Sequence, residues 1–238
     1  RSRCGRGRGG GRRVLPRAGP GQRMGVPGPW AAGTGASCRL DYRAFAYAGK
    51  FVTGDTGKAV LETGDGSAAA PAWTPDRSVP ETVDPADFDE SVVAAVSFSP
   101  DRTDPTCCRL RYVTVHAARR GEGIGPVLVS RTVRWLADAG YDRVRIAVNN
   151  PFAYEALYKC GFAYTGEQTG LAELELARPA ATVAATRADA GRYRAGLRQF
   201  CDDDTERSDA ERTFLRSRLD DTDPATPPAL GRVGARDS

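Results

Sequence analysis

The sequence predicts an α/β domain organised around one strand–helix–strand crossover, and three observations predict it. Two runs rich in β-branched residues, SVVAAVSF (91–98) and CRLRYVTV (108–115), flank the turn-rich SPDRTDPT and read as an antiparallel pair. A run of helical period at 126–139 follows, and RVRIAV (143–148) then reads as a buried strand. This order is a strand, a helix and a second strand, which places the two strands parallel in one sheet.

The remaining elements follow in order. Residues 1–38 carry eight Arg, no acid, many Gly and Pro and no hydrophobic period, so they predict a disordered segment. An RGG-like RNA-binding arm and a mis-called start are its two readings, the second favoured because composition changes abruptly at Arg39. LDYRAFAYAG (40–49) alternates and predicts a strand, KAVLE predicts a second, and 63–90 predicts a long loop rich in Gly, Ala, Pro and Asp. In the 126–139 helix Pro126 suits the first helical position, Val129, Val133 and Leu136 share one face, and Gly140 fits just past the end. PFAYEALYKC (151–160) predicts a short helix stopped by Gly161, and FAYTG and AELELA predict closing strands. After Pro179 the segments 189–200 and 208–219 read as helices, the second opened by a capping box of Ser208 and Glu211, and a frayed tail follows. The division expected is 1–38, a domain at 39–178 and a helical extension at 179–238.

Charge and cysteine usage narrow the function classes. The chain has 238 residues and a net charge of +4, but eight of its 34 basic side chains lie in 1–38, leaving 26 against 30 acidic ones. The body is mildly acidic, so no nucleic-acid partner is expected. The six Cys form no C-x-x-C pair and there is one His, so neither a metal site nor a disulfide framework is expected. No apolar run reaches the roughly 20 residues of a membrane span and no secretory h-region is seen, which predicts a soluble, cytoplasmic protein with no membrane partner.

The chemistry concentrates in YVTVHAARRGEGIGPVLVSRTV (112–133), where a strand runs through Arg and Gly into a helix. Such a turn aims several backbone N–H groups at one spot beside the positive end of the helix dipole. Glycines admit a close backbone approach, and Arg119 and Arg120 supply charge-assisted donors, so the expected ligand is a phosphate or pyrophosphate. The Rossmann fingerprint fails on glycine spacing and on the absent acid, since the next strand ends in Val148, Asn149 and Asn150. A Walker loop fails at GDTGKA (54–59) in length and in its final hydroxyl. The pattern that fits is R-x-x-G-x-G, met by Arg120, Gly123 and Gly125.

This motif resembles that of the GNAT superfamily of acyl-CoA-dependent N-acetyltransferases, and RIAVNNPFAYEALYKCGFAYTG (145–166) resembles the second half of the GNAT core. Leu157–Tyr158 and Gly161–Phe162 match its L-Y and G-F, and the resemblance covers about 91–178. It implies a mixed central sheet with splayed parallel strands and flanking helices, to which a C-terminal helical appendage is added. It also implies acetyl-CoA as co-substrate, with no metal, and transfer of the acetyl group to a primary amine by direct attack through a tetrahedral intermediate. The cofactor-binding residues implied are Val113, Val115, Arg120, Gly121, Glu122, Gly123, Ile124, Gly125 and Asn150, with strands splaying after Val115 and Val148. Tyr158 is implied as the catalytic residue that hydrogen-bonds or protonates the departing thiolate. Two departures stand out: the family places Asn seven residues before the Tyr, whereas Asn150 lies eight before Tyr158, and Pro126 removes one N–H from the turn.

The general base stays open among His116, a glutamate (Glu167 or Glu173) and a water relay, and His116 also reads as an exposed loop residue. Cys107 and Cys108 have no neighbour placed to activate a thiol and read as core and edge groups. The partner expected is an amine-bearing acceptor, small molecule or peptide, with a homodimer left open. The rival from another class is a non-catalytic acyl-CoA-binding regulatory module whose C-terminal helices dock a partner.

Overall fold

A computed structural model of the chain describes residues 24–25, 30–34, 38–52, 56–170, 173–181, 189–202 and 207–220. The strands are β1 (Met24–Gly25), β2 (Trp30–Thr34), β3 (Gly57–Glu62), β4 (Val92–Pro100), β5 (Cys107–Val115), β6 (Arg143–Val148), β7 (Ala163–Thr169) and β8 (Glu173–Pro179). The helices are α1 (Ile124–Asp138), α2 (Pro151–Lys159), α3 (Ala190–Asp202) and α4 (Asp209–Leu219). The strands form one mixed sheet in the order β1-β2-β3-β4-β5-β6-β8-β7, in which only β5 and β6 pair in parallel. No helix among the described residues is long and apolar enough to cross a membrane.

The crossover lies where the sequence places it. Along α1, Leu128, Val129, Val133 and Leu136 are buried on one stripe, each contributing about 1.5–3 kcal/mol by burial. They meet Ala94, Val96 and Phe98, alternate residues of β4, in the main core. The residues between these face the other way, and Ala95 joins Leu40, Phe45 and Phe51 in a second cluster under residues 38–51.

Two expectations are corrected. The 40–49 segment is a series of turns ending in a 3-10 helix at Ala48–Phe51. Its buried residues, Leu40, Ala44, Phe45, Ala48 and Phe51, fall at positions 0, 4, 5, 8 and 11 of the segment, which is a helical spacing and not an alternating one. The Asp41 carboxylate accepts from the Arg43 N–H and guanidinium, at 2.9 Å and 2.7 Å, and so anchors the turn locally. Cys38 N–H donates to Phe51 O at 3.1 Å, closing the two ends of a compact loop. The second correction concerns disorder across 1–38. The backbone at Trp30–Thr34 pairs antiparallel with β3, and Met24–Gly25 pairs beyond it. The free edge of β3 supplies ladder partners that composition cannot reveal. The rest of 1–37 lies outside the described residues, and Cys38 is buried in the second cluster.

The C-terminal helices share the main core, to which Tyr193, Leu197, Phe200 and Leu215 belong. Gly196 of α3 makes room for Tyr154, whose hydroxyl oxygen lies 2.1 Å from where a Cβ would stand.

The parallel pair has only three rungs, Cys107↔Arg143, Cys108↔Val144 and Arg109↔Arg145. The last rung sets two cations side by side, and buried Glu175 of β8 binds both, with Oε1 at 3.2 Å from Arg109 Nη2 and from Arg145 Nη1. Asp101 binds Arg109 from the other side at 2.5 Å. Removing one partner of a buried ion pair leaves the others uncompensated and costs about 3–5 kcal/mol. Glu175→Gln is therefore expected to lower unfolding stability by about 3 kcal/mol, read as a shifted urea midpoint with unchanged slope.

Candidate active site

Beyond Arg109 and Arg145 the two parallel strands are unpaired and diverge, earlier than the expected splay after Val115 and Val148. An extra residue in β5 accompanies the divergence. Ser97 pairs with Tyr112 and Phe98 with Leu110, so Arg111 is a bulge, which locally strengthens twist and bends the strand. The result is a cleft of about 1300 Å³ walled by β5 from Arg111 to Val115 on one side and by β6 and α2 on the other.

Backbone alternation decides what faces the gap. His116 N–H donates to Val93 O of β4 at 2.9 Å, and by alternation the N–H groups of Val113 and Val115 turn away from β4 and into the cleft. Val113 and Val115, both expected cofactor contacts, thus present main-chain N–H groups along the wall.

The turn at the mouth is built as an anion cradle. Gly121 and Gly123 have φ of 86° and 76°, the left-handed region where a side chain is strained, although a Cβ at either would meet open space. Gly123 is the N-cap of α1, so the N–H groups of Ile124 and Gly125 are open helix-end donors and Pro126 has none. Arg119 fixes the turn: its Nε donates to Glu122 at 2.9 Å and its Nη1 to Ala69 O at 3.0 Å. That pairing holds the Glu122 carboxyl below its usual range. Arg120 is exposed at the mouth, with Nε 3.4 Å from Val115 O. All six residues from Arg120 to Gly125 line the cleft.

Asn150 also lines the cleft, but its Oδ1 accepts from Ala153 N–H at 2.8 Å as the cap of α2. Its oxygen is committed to starting the helix, and Pro151 at the first helical position completes that start.

Tyr158 is not among the residues that line the cleft. It is 6% exposed, its ring lies 4.4 Å from that of Tyr193, and the wall is formed instead by Ala156, Leu157 and Lys159. Leu157 is as buried as Tyr158, at 5% exposed, and shares the main core with it, while also lining the cleft. Burial also raises the Tyr158 pKa, with the Asp189 charge adding to it.

The base candidates separate likewise. His116 is buried between Phe45 and Trp73, whose rings lie 5.2 Å and 4.9 Å away, and its Nδ1 accepts from Ala118 N–H. Burial lowers its pKa against the pull of Asp41, so it is a neutral cap for the turn and lies off the cleft wall. Glu167 is exposed on β7 and does not line the cleft, whereas Glu173 does. Glu155 lines it as well but is bound by Lys159 (2.5 Å), Arg218 (2.6 Å) and the Tyr193 hydroxyl (3.0 Å).

Tyr47, Arg111, Tyr112, Phe152 and Phe214 also line the cleft and were not singled out from sequence. Phe152 and Phe214 pair at 4.8 Å, so α4 contributes to the wall. Helical period alone exposes Phe152; the bulge that aims Arg111 has no sequence signal.

Residues 64–162 match the model of the Acetyltransferase (GNAT) family. Over those residues the chain is similar to that family. That match ends at Phe162, before β7, β8 and both C-terminal helices. A search of curated proteins finds no significant match. Among solved structures, a GCN5-related N-acetyltransferase from Kribbella flavida is 20% identical, aligned over 52% of this chain and 67% of its own, with a TM-score of 0.37. An N-acetyltransferase from Staphylococcus aureus Mu50 is 16% identical, over 52% and 68%, with a TM-score of 0.37. The yncA protein of Salmonella typhimurium, solved with its cofactor acetyl-CoA, is 17% identical, over 55% and 68%, also at 0.37.

The Glu155 cluster gives the fold a pH dependence. Burial alone would raise the Glu155 pKa, but hydrogen bonds from Arg218 and Lys159 outweigh it and hold the carboxyl below its ordinary value. A lowered carboxylate pKa contributes stability above the unfolded value of about 4.3, and that contribution is lost as pH falls through the folded value. Thermal stability is expected to drop more steeply below about pH 4.5 in the wild type than in Glu155→Gln, as measured by calorimetry across a pH series.

Proposed function

We propose that this chain is an N-acetyltransferase that moves an acetyl group from acetyl-CoA to a primary amine. The observation that carries this reading is the gap between β5 and β6, which opens at one end onto a glycine–arginine turn of free N–H groups. In it the pyrophosphate sits on the open N–H groups of Ile124 and Gly125, with Arg120 at the mouth. The pantetheine arm runs down the wall, pairing with the main chain of Val113 and Val115 as an extra strand would. The thioester then lies deep in the gap.

The amine nitrogen attacks the carbonyl carbon and a C–N bond forms. The oxyanion that results is met by main-chain N–H of the open strand. The C–S bond then breaks, the nitrogen gives its proton to water or to Glu173, and the thiolate leaves. With Tyr158 off the wall, the thiolate takes its proton from water, which its pKa of about 8.5 makes a modest demand near neutral pH. The non-catalytic acyl-CoA-binding module remains the second reading, favoured by one observation: an aliphatic side chain, Leu157, stands on the wall seven residues after Asn150.

Acetyl-CoA at a hundredfold its dissociation constant is expected to stabilise the folded protein by about 2.7 kcal/mol, seen as a raised Tm. Arg120→Ala is expected to weaken binding about tenfold, the effect of one charge-assisted hydrogen bond. Unchanged melting of the wild type would remove the reading.

Tyr158→Phe separates chemistry from packing. With the ring against Tyr193 and off the wall, kcat and acetyl-CoA affinity should both stay within about threefold of wild type, roughly 0.6 kcal/mol. A fall in kcat of about 10²-fold or more in steady-state assays would return the hydroxyl to the reaction.

A further inference from the structure

Three features converge at the deep end of the cleft, near the vertex where β5 and β6 part. Tyr47 is the one non-glycine residue with positive φ among the described residues, at φ 59° and ψ 20°. That conformation is unfavourable for a bulky side chain, and it is held by buried Ala48 and Phe51 and by Lys50 N–H donating to Tyr47 O at 2.8 Å. The strain holds a ring that is 53% exposed, 5.3 Å from the ring of Tyr112. Self-burial therefore does not explain it. Both tyrosines line the cleft.

The third feature is the bulge. Ser97 pairs with Tyr112, and Ser99, two residues on, lies on the same face of β4. Arg111 Nε donates to Ser99 Oγ at 2.9 Å, so the extra residue brings its guanidinium to the face that Tyr112 and Tyr47 share. Arg111 is exposed, and no acidic partner is recorded for it among the described residues. Its two terminal nitrogens remain as donors, in the geometry that grips a carboxylate. A cation here repels a polyamine or lysine-rich acceptor and attracts an anionic one.

Resting on the acetyltransferase reading, we propose that the acceptor is an α-amino acid with an aromatic side chain, bound by its carboxylate on Arg111 and by its ring on Tyr47 and Tyr112. From Val115 at the mouth to Arg111 is four residues of strand, about 13 Å, which sets this subsite at the inner end of the gap, where the thioester lies. The amine, one carbon from the carboxylate, then faces the acyl carbon. The arginine charge also disfavours the ammonium form of that amine, which aids attack.

The test compares L-phenylalanine with phenethylamine, which lacks only the carboxylate, using the full chain and thiol release from acetyl-CoA. The wild type is expected to prefer L-phenylalanine by about tenfold to a hundredfold in kcat/KM, the effect of one charge-assisted hydrogen bond or a pair. Arg111→Gln should bring that preference to about one, Arg111→Lys should restore part of it, and Tyr47→Ala should raise the KM for L-phenylalanine. Calorimetric titration of L-phenylalanine, with and without coenzyme A, reads binding without turnover. A protein stabilised by acetyl-CoA that binds no L-phenylalanine overturns the acceptor assignment alone, as does an Arg111→Gln variant that keeps the preference. A protein that acetyl-CoA does not stabilise overturns the acetyltransferase reading instead, and the titration still decides the subsite.

Discussion

Glu175 holds the vertex from which the cleft opens. Two guanidiniums on adjacent parallel strands would repel, and the third rung of the β5–β6 ladder places Arg109 beside Arg145. A single buried carboxylate from β8 binds both, while Asp101 takes a second edge of Arg109. Pairing is thereby tied at one end and absent beyond it. The Arg111 bulge bends β5 at that point, and the main-chain groups of Val113 and Val115 are left for something other than β6. A gap in a sheet exposes hydrogen-bonding groups that protein structure normally satisfies, which makes it a receptor for an extended chain.

A second, half-buried carboxylate performs the corresponding task for the helices. Glu155 sits on α2 and takes bonds from Lys159 on its own helix, from Tyr193 on α3 and from Arg218 on α4. Segments far apart in sequence are thus fastened to the helix that forms one wall, and Phe214 of α4 reaches the cleft beside Phe152. The family match ends at Phe162, so this wall is completed by parts of the chain outside it. Both carboxylates are worth more than a surface pair because little water competes for them.

Leu157 and Tyr158 differ by a single residue of helical phase. Leu157–Tyr158 looks like the family pair, yet Asn150 is the cap of α2, and counting from a fixed cap leaves Leu157 seven residues on and Tyr158 eight. A helix turns about 100° per residue, and here the Tyr158 ring packs against that of Tyr193 while Leu157, equally buried, is the one that lines the cleft. The count was visible in the sequence; which of the two positions faces the gap was not.

By itself the sequence determined what local rules govern. The crossover, the stripe of Val129, Val133 and Leu136, the Ser208–Glu211 capping box and the glycines of the anion turn all depend on residues within a few positions of one another. The same rules misread 40–49, because five spaced apolar residues fit both periods until something covers them. What only the tertiary structure decided is where strands stop pairing, where β8 inserts between β6 and β7, and which carboxylate meets which arginine. The pairing of β2 with β3, the aim of Arg111 and the strained ring of Tyr47 belong to the same class. Each depends on a partner tens of residues away, and contacts at that separation leave no periodic trace in the chain.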